Sequence, residues 1–491
     1  MTSLRKQTLW SMMPILVTSF ISVVSVPLYF RVLGDEMYAM WFYVGTMTGS
    51  FGFMDLGLGV AVGRFIGVAM GKNDQQAVRE YWATGNAIVF PFVLFFAVMF
   101  VLVGGIWGPH WFKVTGSNVT TLRWAIFFSG FGLFFNYYGQ MWNILAQAYL
   151  DFRYLSILRT WFGLGTTLGI LVVALLTKSL SAIFLFSTIL AGFQFALLFH
   201  RGHRHYKLPL RVADFRKARL LEMLPYTTKT FAQLLSGSIL GSLDRLMLGR
   251  LAPAGDFAAY GASQNIGGRI AGLSVAIMGP IFHNTTRGVG GDQSKKPSEV
   301  YRESFDFMFP WYSLLITGVF FWSGPITALW LGHKYGPAVG QAFPWVVAGL
   351  SLTAIANISG AQLGGLNRVG TGLILQILSG LLSAVTVVIG WHLGGLAGAS
   401  AGFFAAKLIY VIQDFLVRRW VGLGAGEYLV NARVILRQIA VVGGIWIIFR
   451  IFLPHAVSVQ CAGAILSALA GGALEVFILI KEIQARKTGV S

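Results

Sequence analysis

The chain has 491 residues, 56% of them hydrophobic and 11% charged, with a mean hydropathy of +0.69. Soluble domains carry about 25% charged residues, so a soluble enzyme, a disordered chain and a nucleic-acid-binding protein are all poor readings. The net charge of +19 comes from 37 basic against 18 acidic residues, and the basic ones fall between apolar runs. This is the pattern of an all-α polytopic membrane protein.

A helical span needs about 20 mostly apolar residues. In chain order, spans read at 9–29, 38–60, 84–107, 124–149, 160–177, 180–199, 224–249, 258–282, 307–331, 343–365, 371–391, 394–417, 437–453 and 459–480. The fifth, tenth and thirteenth are the weakest, which brackets the number at twelve to fourteen. The first run follows Arg5 and Lys6 without a small-residue cleavage site, so it reads as an uncleaved span. Lys and Arg placement orients the whole. With the N-terminus inside, cytoplasmic segments hold 25 basic residues and external segments seven, giving cytoplasmic termini at both ends. Lys407, Arg64, Lys229, Arg245 and Arg269 lie in spans or at their ends.

The basic loop from Arg201 to Arg219 reads as a cytoplasmic bridge between halves. An echo supports it: Arg31-Val32-Leu33 with Tyr38-Ala39 recurs as Arg250-Leu251-Ala252 with Phe257-Ala258, offset by 219 residues. The expected division is a six-span lobe at 1–205, a bridging loop at 206–223, a second lobe at 224–420, and an extra helix pair with a tail at 421–491. Six spans per half make the repeat parallel, a transporter plan with its site between halves.

Several polar patterns interrupt the apolar runs. Gly59, Gly63, Gly67 and Gly71 share one helix face, as do Gly394, Gly398 and Gly402, and such stripes permit close helix packing. Asn136, Gln140, Asn143 and Gln147 share a face of the fourth span, fit either for interhelical hydrogen bonds or for a polar cavity wall. The seventh span carries Lys229, Gln233, Ser236 and Asp244 on one face, followed by Arg245, and the eighth carries Asn265 and Arg269 one turn apart. A charge in hydrocarbon costs at least about 2.5–3.5 kcal/mol, so these groups face water, cargo or a partner. Asp55 suits a local cap or a cavity role equally, and Glu475 suits a pairing with a neighbouring lobe or a snorkelling position. Single Cys461 allows no intramolecular disulfide and no Cys metal site. No catalytic triad, His/Cys cluster or P-loop occurs, so neither an enzyme nor a cofactor is expected.

The stretch Val26-Pro27-Leu28-Tyr29-Phe30-Arg31-Val32-Leu33-Gly34, then Met54-Asp55-Leu56-Gly57-Leu58-Gly59, Arg64-Phe65 and Gly71-Lys72-Asn73-Asp74 resembles the polysaccharide transporter family. These are flippases for lipid-linked oligosaccharides, in the superfamily that also holds multidrug exporters and the peptidoglycan-precursor flippase. The resemblance implies two six-helix lobes around a V-shaped cavity lined by spans 1, 2, 7 and 8. It also implies a bacterial inner-membrane location, transfer of an undecaprenyl pyrophosphate-type glycan between leaflets, and membrane lipids and a polysaccharide polymerase complex as partners. Nucleic acid is not an expected partner.

Arg64 and Lys229 then serve as entry cations, Arg269 as the midplane cation and Arg245 as the exit cation, with Asp55, Gln233, Asp244, Asn265 and the Asn136–Gln147 stripe as polar lining. A cation-coupled multidrug exporter is the nearest alternative. Such exporters often place an acid in the first span, where this chain has only Ser, Thr and two prolines. A glycan polymerase or acyltransferase is the second alternative, but the longest external loop, about Gly108 to Arg123, has one His and no acid. The charge asymmetry predicts cytoplasmic reporter fusions after Lys207 and Lys296 and external ones near Gly255 and Lys334. An external 201–219 loop would overturn the orientation.

Overall fold

The computed structural model describes residues 2–488, apart from 56–57, 72–73, 150, 209–211, 273, 276–277, 279–280, 282–295, 367, 425 and 453–456. Among the described residues there are fourteen α-helices and no strand. They are α1 (Thr2–Ser50), α2 (Leu58–Gly71), α3 (Gln75–Trp111), α4 (Asn118–Ala148), α5 (Phe152–Thr177), α6 (Leu180–Arg204) and α7 (Lys217–Leu235). The rest are α8 (Leu243–Leu251), α9 (Ala254–Gly272), α10 (Pro297–Gly365), α11 (Val369–Lys407), α12 (Ile409–Val421), α13 (Gly426–Phe452) and α14 (Val457–Thr488). Among the described residues, eight helical stretches are long and apolar enough to cross a membrane. The architecture is that of an all-α polytopic membrane protein.

Glycine corners explain why fewer helices than spans appear at some points. α1 bends at Gly34 (φ 74°), α10 at Gly332 (φ 75°) and α11 at Gly394–Gly395, where Gly395 has φ 56°. A side chain at such a positive φ is strained, so only glycine folds these traces back without penalty. The arms then pack against each other. Phe30 stacks on Tyr38 at 4.3 Å and Tyr29 meets Trp41 at 4.7 Å across the Gly34 corner. The first two spans are thus the arms of α1, the ninth and tenth those of α10, and the eleventh and twelfth are α11 with α12.

Two spans are broken rather than bent. The second continues from α1 through a 3-10 turn at Gly52–Asp55 into α2, where the sequence suggested one helix through residue 60. The seventh runs from α7 through a π-helical turn at Ser236–Leu240 into α8. The two breaks touch: a Cβ at Gly52 would lie 2.5 Å from Ser238 Oγ.

By packing, the chain forms two compact units, 1–254 and 255–491, so α7 and α8 belong with the first. In that unit α4 and α6 run in parallel, with Ser181 and Thr188 donating to the carbonyls of Thr121 and Phe128. Trp82 of α3 and Trp142 of α4, each 1% exposed, meet edge to face. In the second unit, α13 and α14 dock on α10. The Trp322 indole donates to Ser467 Oγ at 3.1 Å, and Gly463 leaves room for that ring. Apolar side chains left uncovered, such as Leu94, Val98, Leu102 and Ile106 along α3, form faces suited to lipid tails.

Glycines from both stripes serve packing, while Gly394 has open space beside it and what faces Gly67 and Gly71 lies outside the described residues. At Gly398 and Gly402 an added Cβ would strike the backbone carbonyls of Gly390 and Thr386 on the facing arm of α11. Gly63 faces the Ile144 side chain of α4 instead. A carbonyl held in a helix cannot step aside, whereas a side chain can adjust. Gly398→Ala and Gly402→Ala should therefore cost about 1–3 kcal/mol and Gly63→Ala less, read as thermal stability in detergent. Equal, small losses at all three would contradict this packing.

Candidate functional site

Polar groups that the fold leaves uncovered by protein mark the candidate site. On α4 the four-residue stripe divides along the helix. Asn143, 6% exposed, accepts hydrogen bonds from Arg159 Nη2 of α5 at 2.8 Å and from Gln147 at 2.9 Å. That half of the stripe joins helices. Asn136 and Gln140 are exposed, and of these only Asn136 bonds its own helix, donating to the Gly132 carbonyl. The exposed apolar residues Trp124, Phe127 and Phe131 lie on the other side of α4, about 160° around by 100° per residue. Asn136 and Gln140 therefore face away from the lipid-suited surface, and amides there are suited to water and hydroxyl groups.

Of the candidate site residues on the seventh span, Arg245 and Asp244 are the ones described. Arg245 Nη2 donates to the Gly241 carbonyl at 3.1 Å and to Ser242 Oγ at 2.9 Å, so it caps the turn leaving the π-helix. Asp244, beside it, is 2% exposed. The side chains of Asp55, Arg64, Lys229 and Gln233 lie outside the described residues.

α9 carries the sharpest feature. Of its residues Ala254–Gly272, only Asn265, Gly268 and Arg269 are exposed. Among the described residues of α9 none of the exposed ones is large and apolar, unlike the lipid-suited face of α3. Arg269 has no hydrogen-bond or ion-pair partner among the described residues, and it lies about 22 Å along the helix from its start. An uncovered guanidinium at that depth needs water or an anion beside it.

Other charges are clamped by one repeated device, a tyrosine and an arginine sharing a carboxylate. Arg201 and Tyr206 both donate to Asp151 Oδ2, at 2.7 and 2.8 Å, and Arg201 stacks over Tyr154. Arg219 donates to Glu80 at 3.0 Å and to Glu222 at 3.3 Å, while Tyr81 donates to Glu222 at 2.7 Å. In the second unit Arg418 donates to Asp414 at 2.8 Å, Tyr301 donates to its other oxygen, and Arg418 stacks over Phe305. A fifth acid, Glu475 of α14, is gripped through both oxygens by Arg437 of α13, at 2.5 and 2.6 Å. It pairs inside the extra helix pair rather than with a neighbouring lobe. Sequence reasoning missed Arg159 and Arg437 as partners, because their acceptors lie on other helices. Among the described residues no cluster of His, Cys, Asp or Glu is fit to hold a metal.

This fold, with polar strips set among lipid-suited faces, is that of a class of many-spanned transporters. The chain matches the structure titled lipid II flippase MurJ, inward closed conformation, with TM-score 0.74 and 11% identity over 96% of this chain and 99% of that one. It matches an inward-facing multidrug resistance MATE family transporter of the MOP superfamily with TM-score 0.66 and 15% identity, covering 82% and 94% of the two chains. A MOP superfamily transporter from Pyrococcus furiosus, described as having a binding pocket of reverse polarity, aligns with TM-score 0.57 and 14% identity over 85% and 96%. Residues 4–285, more than half of the chain, match the family described as polysaccharide biosynthesis protein, and the chain belongs to it. No curated protein matches the sequence.

The Asp151 clamp lies outside the spans and gives a pH test. Burial alone would raise the Asp151 carboxyl, but hydrogen bonds from Arg201 and Tyr206 outweigh it and hold it below the usual carboxylate range. Its contribution is full above about pH 4–5 and is lost as pH falls through the lowered folded-state value. Asp151→Asn should cost about 1–2 kcal/mol at pH 7 and flatten that acid limb of a stability profile. An unchanged acid limb would show that the clamp is not coupled to folding.

Proposed function

We propose that the protein is a flippase carrying a lipid-linked, pyrophosphate-bearing oligosaccharide from the inner to the outer leaflet. The family membership supports a role in polysaccharide biosynthesis, and the lipid-linked glycan is the form in which such sugars meet a membrane protein. The observation that carries the cargo assignment is Arg269, exposed and unpartnered among the described residues, on a helix none of whose described exposed residues is large and apolar. A guanidinium grips phosphate oxygens in a bidentate manner, and its burden within the membrane is relieved when an anion occupies it.

The second element is neutral. Asn136 and Gln140 present amides to hydroxyl-rich cargo, which otherwise loses several kcal/mol for each unsatisfied polar group in hydrocarbon. The lipid tail needs no such lining and stays in the bilayer. In this reading two six-span halves alternate access to the polar faces, and no covalent step takes place. Arg64 and Lys229 receive the headgroup and Arg245 lies towards release. The proposed setting is a bacterial inner membrane with both termini in the cytoplasm.

The test is complementation of a flippase-deletion strain for surface glycan, with expression confirmed. Arg269→Ala should abolish surface glycan while the protein remains folded in the membrane, and Arg269→Lys should restore part of it. Wild-type glycan from well-expressed Arg269→Ala would remove the cation from the mechanism. Drug efflux without glycan transfer by the wild-type protein would instead establish an exporter.

A further inference from the structure

The seventh span runs beside α3 in the same direction and is tied to it at both ends. At the starts of the helices, Arg219 Nε donates to Glu80 at 3.0 Å, and Arg219 Nη1 donates to the Tyr81 hydroxyl at 3.1 Å. Arg216 adds a backbone hydrogen bond to Thr84 Oγ1 at 3.1 Å and lies 3.7 Å from Glu80. At the far ends, the Trp111 indole donates to the Leu246 carbonyl at 3.2 Å. Arg250 donates to the carbonyls of His110 at 3.1 Å and Trp111 at 3.3 Å. Between them, Phe92 and Phe231 meet edge to face with centroids 6.4 Å apart. From Glu80 to Trp111 is about 45 Å at 1.5 Å per residue, the thickness of a bilayer with its headgroups. One tie therefore sits at each membrane face.

We propose that these ties are alternating latches on the seventh span, one released while the other holds, so that each face opens in turn. The proposal rests on the protein being a transporter. Three observations favour latches over fixed braces. Glu80 itself is 12% exposed, but the groups that reach it and its neighbour are partly solvated, with side-chain exposures of 53% for Arg216, 47% for Glu222 and 30% for Arg219, so water can replace their contacts. The brace of the second unit is built oppositely: in the Asp414–Arg418 pair the side chains are 9% and 4% exposed. Finally, the span has a place to bend. Its π-helical turn at Ser236–Leu240 abuts the 3-10 break at Gly52–Asp55, and Gly237 and Gly241 meet there too closely for a Cβ at 241. Such π-turns recur at functional positions in helices. The latches differ in chemistry as well. The one at the basic, cytoplasm-assigned face is a charge network, while the other uses carbonyls and an indole.

The test measures distances by pulsed electron paramagnetic resonance in proteoliposomes, in a Cys461→Ala background. One label pair, Arg79→Cys with Lys217→Cys, reports the end held by Glu80. The other pair, Lys113→Cys with Ala254→Cys, reports the end held by Trp111. Glu80→Gln with Glu222→Gln should raise the ratio of long to short distances at the first end about threefold to tenfold, leaving the second end short. Arg250→Ala should do the reverse. Unchanged distances at the first end in the double variant would overturn the proposal. So would lengthening at both ends together, which marks a detached helix. The readout needs no cargo, so it stands even if glycan transfer proves not to be the activity.

Discussion

The constraint on which the structure depends is the expense of leaving a polar or charged group in a low-dielectric helix bundle without a partner. The chain meets it in three ways. Arg437 with Glu475, and Arg418 with Asp414, are paired inside the bundle. Asp151 with Arg201, and Glu80 with Arg219, are paired at helix ends and completed by tyrosines. Arg269, Asn136 and Gln140 stay exposed, away from the lipid-suited apolar faces. The first two solutions hold the fold together. The third is left for solvent and cargo.

Backbone geometry sets where those faces can exist. Gly34, Gly332 and Gly395 fold long helical traces back on themselves, so paired arms arise without loops. Gly398 and Gly402 bring the α11 arms within reach of each other's carbonyls. Close packing of small residues is what attracts helices in lipid, where burial of apolar surface gives no net drive. The broken second and seventh spans depart from this regularity.

Much of this was legible in the sequence, since a run of about 20 apolar residues has one physical outcome in a membrane. Among the described residues the expected spans correspond to arms and helices, the eighth being followed continuously only to Gly272, and Gly63, Gly398 and Gly402 of the glycine stripes fall at helix contacts. The breaks at Gly52–Asp55 and Ser236–Leu240 were not legible, because apolar periodicity continues across them. In the site, Arg269 stood out as a cation in an apolar run. The Asn136–Gln147 stripe did not resolve: its four residues share one angular position on α4, so what separates them is height along the helix. Asn143 meets Arg159 of α5, and no arithmetic within α4 locates that partner. Glu475 posed the same difficulty, its partner lying 38 residues away on α13.

The central claim is that the polar strip of α9 meets water rather than lipid. Cysteine reactivity measures this directly, since Cys461 is buried and replaceable. Single cysteines at Asn265 and Arg269, and for comparison at Leu94 and Val98 of the exposed apolar face of α3, should be treated with a charged maleimide in proteoliposomes. The account predicts rapid labelling at 265 and 269 and little at 94 and 98. Labelling at 265 and 269 as slow as at the two α3 positions would place the strip against lipid and contradict the account.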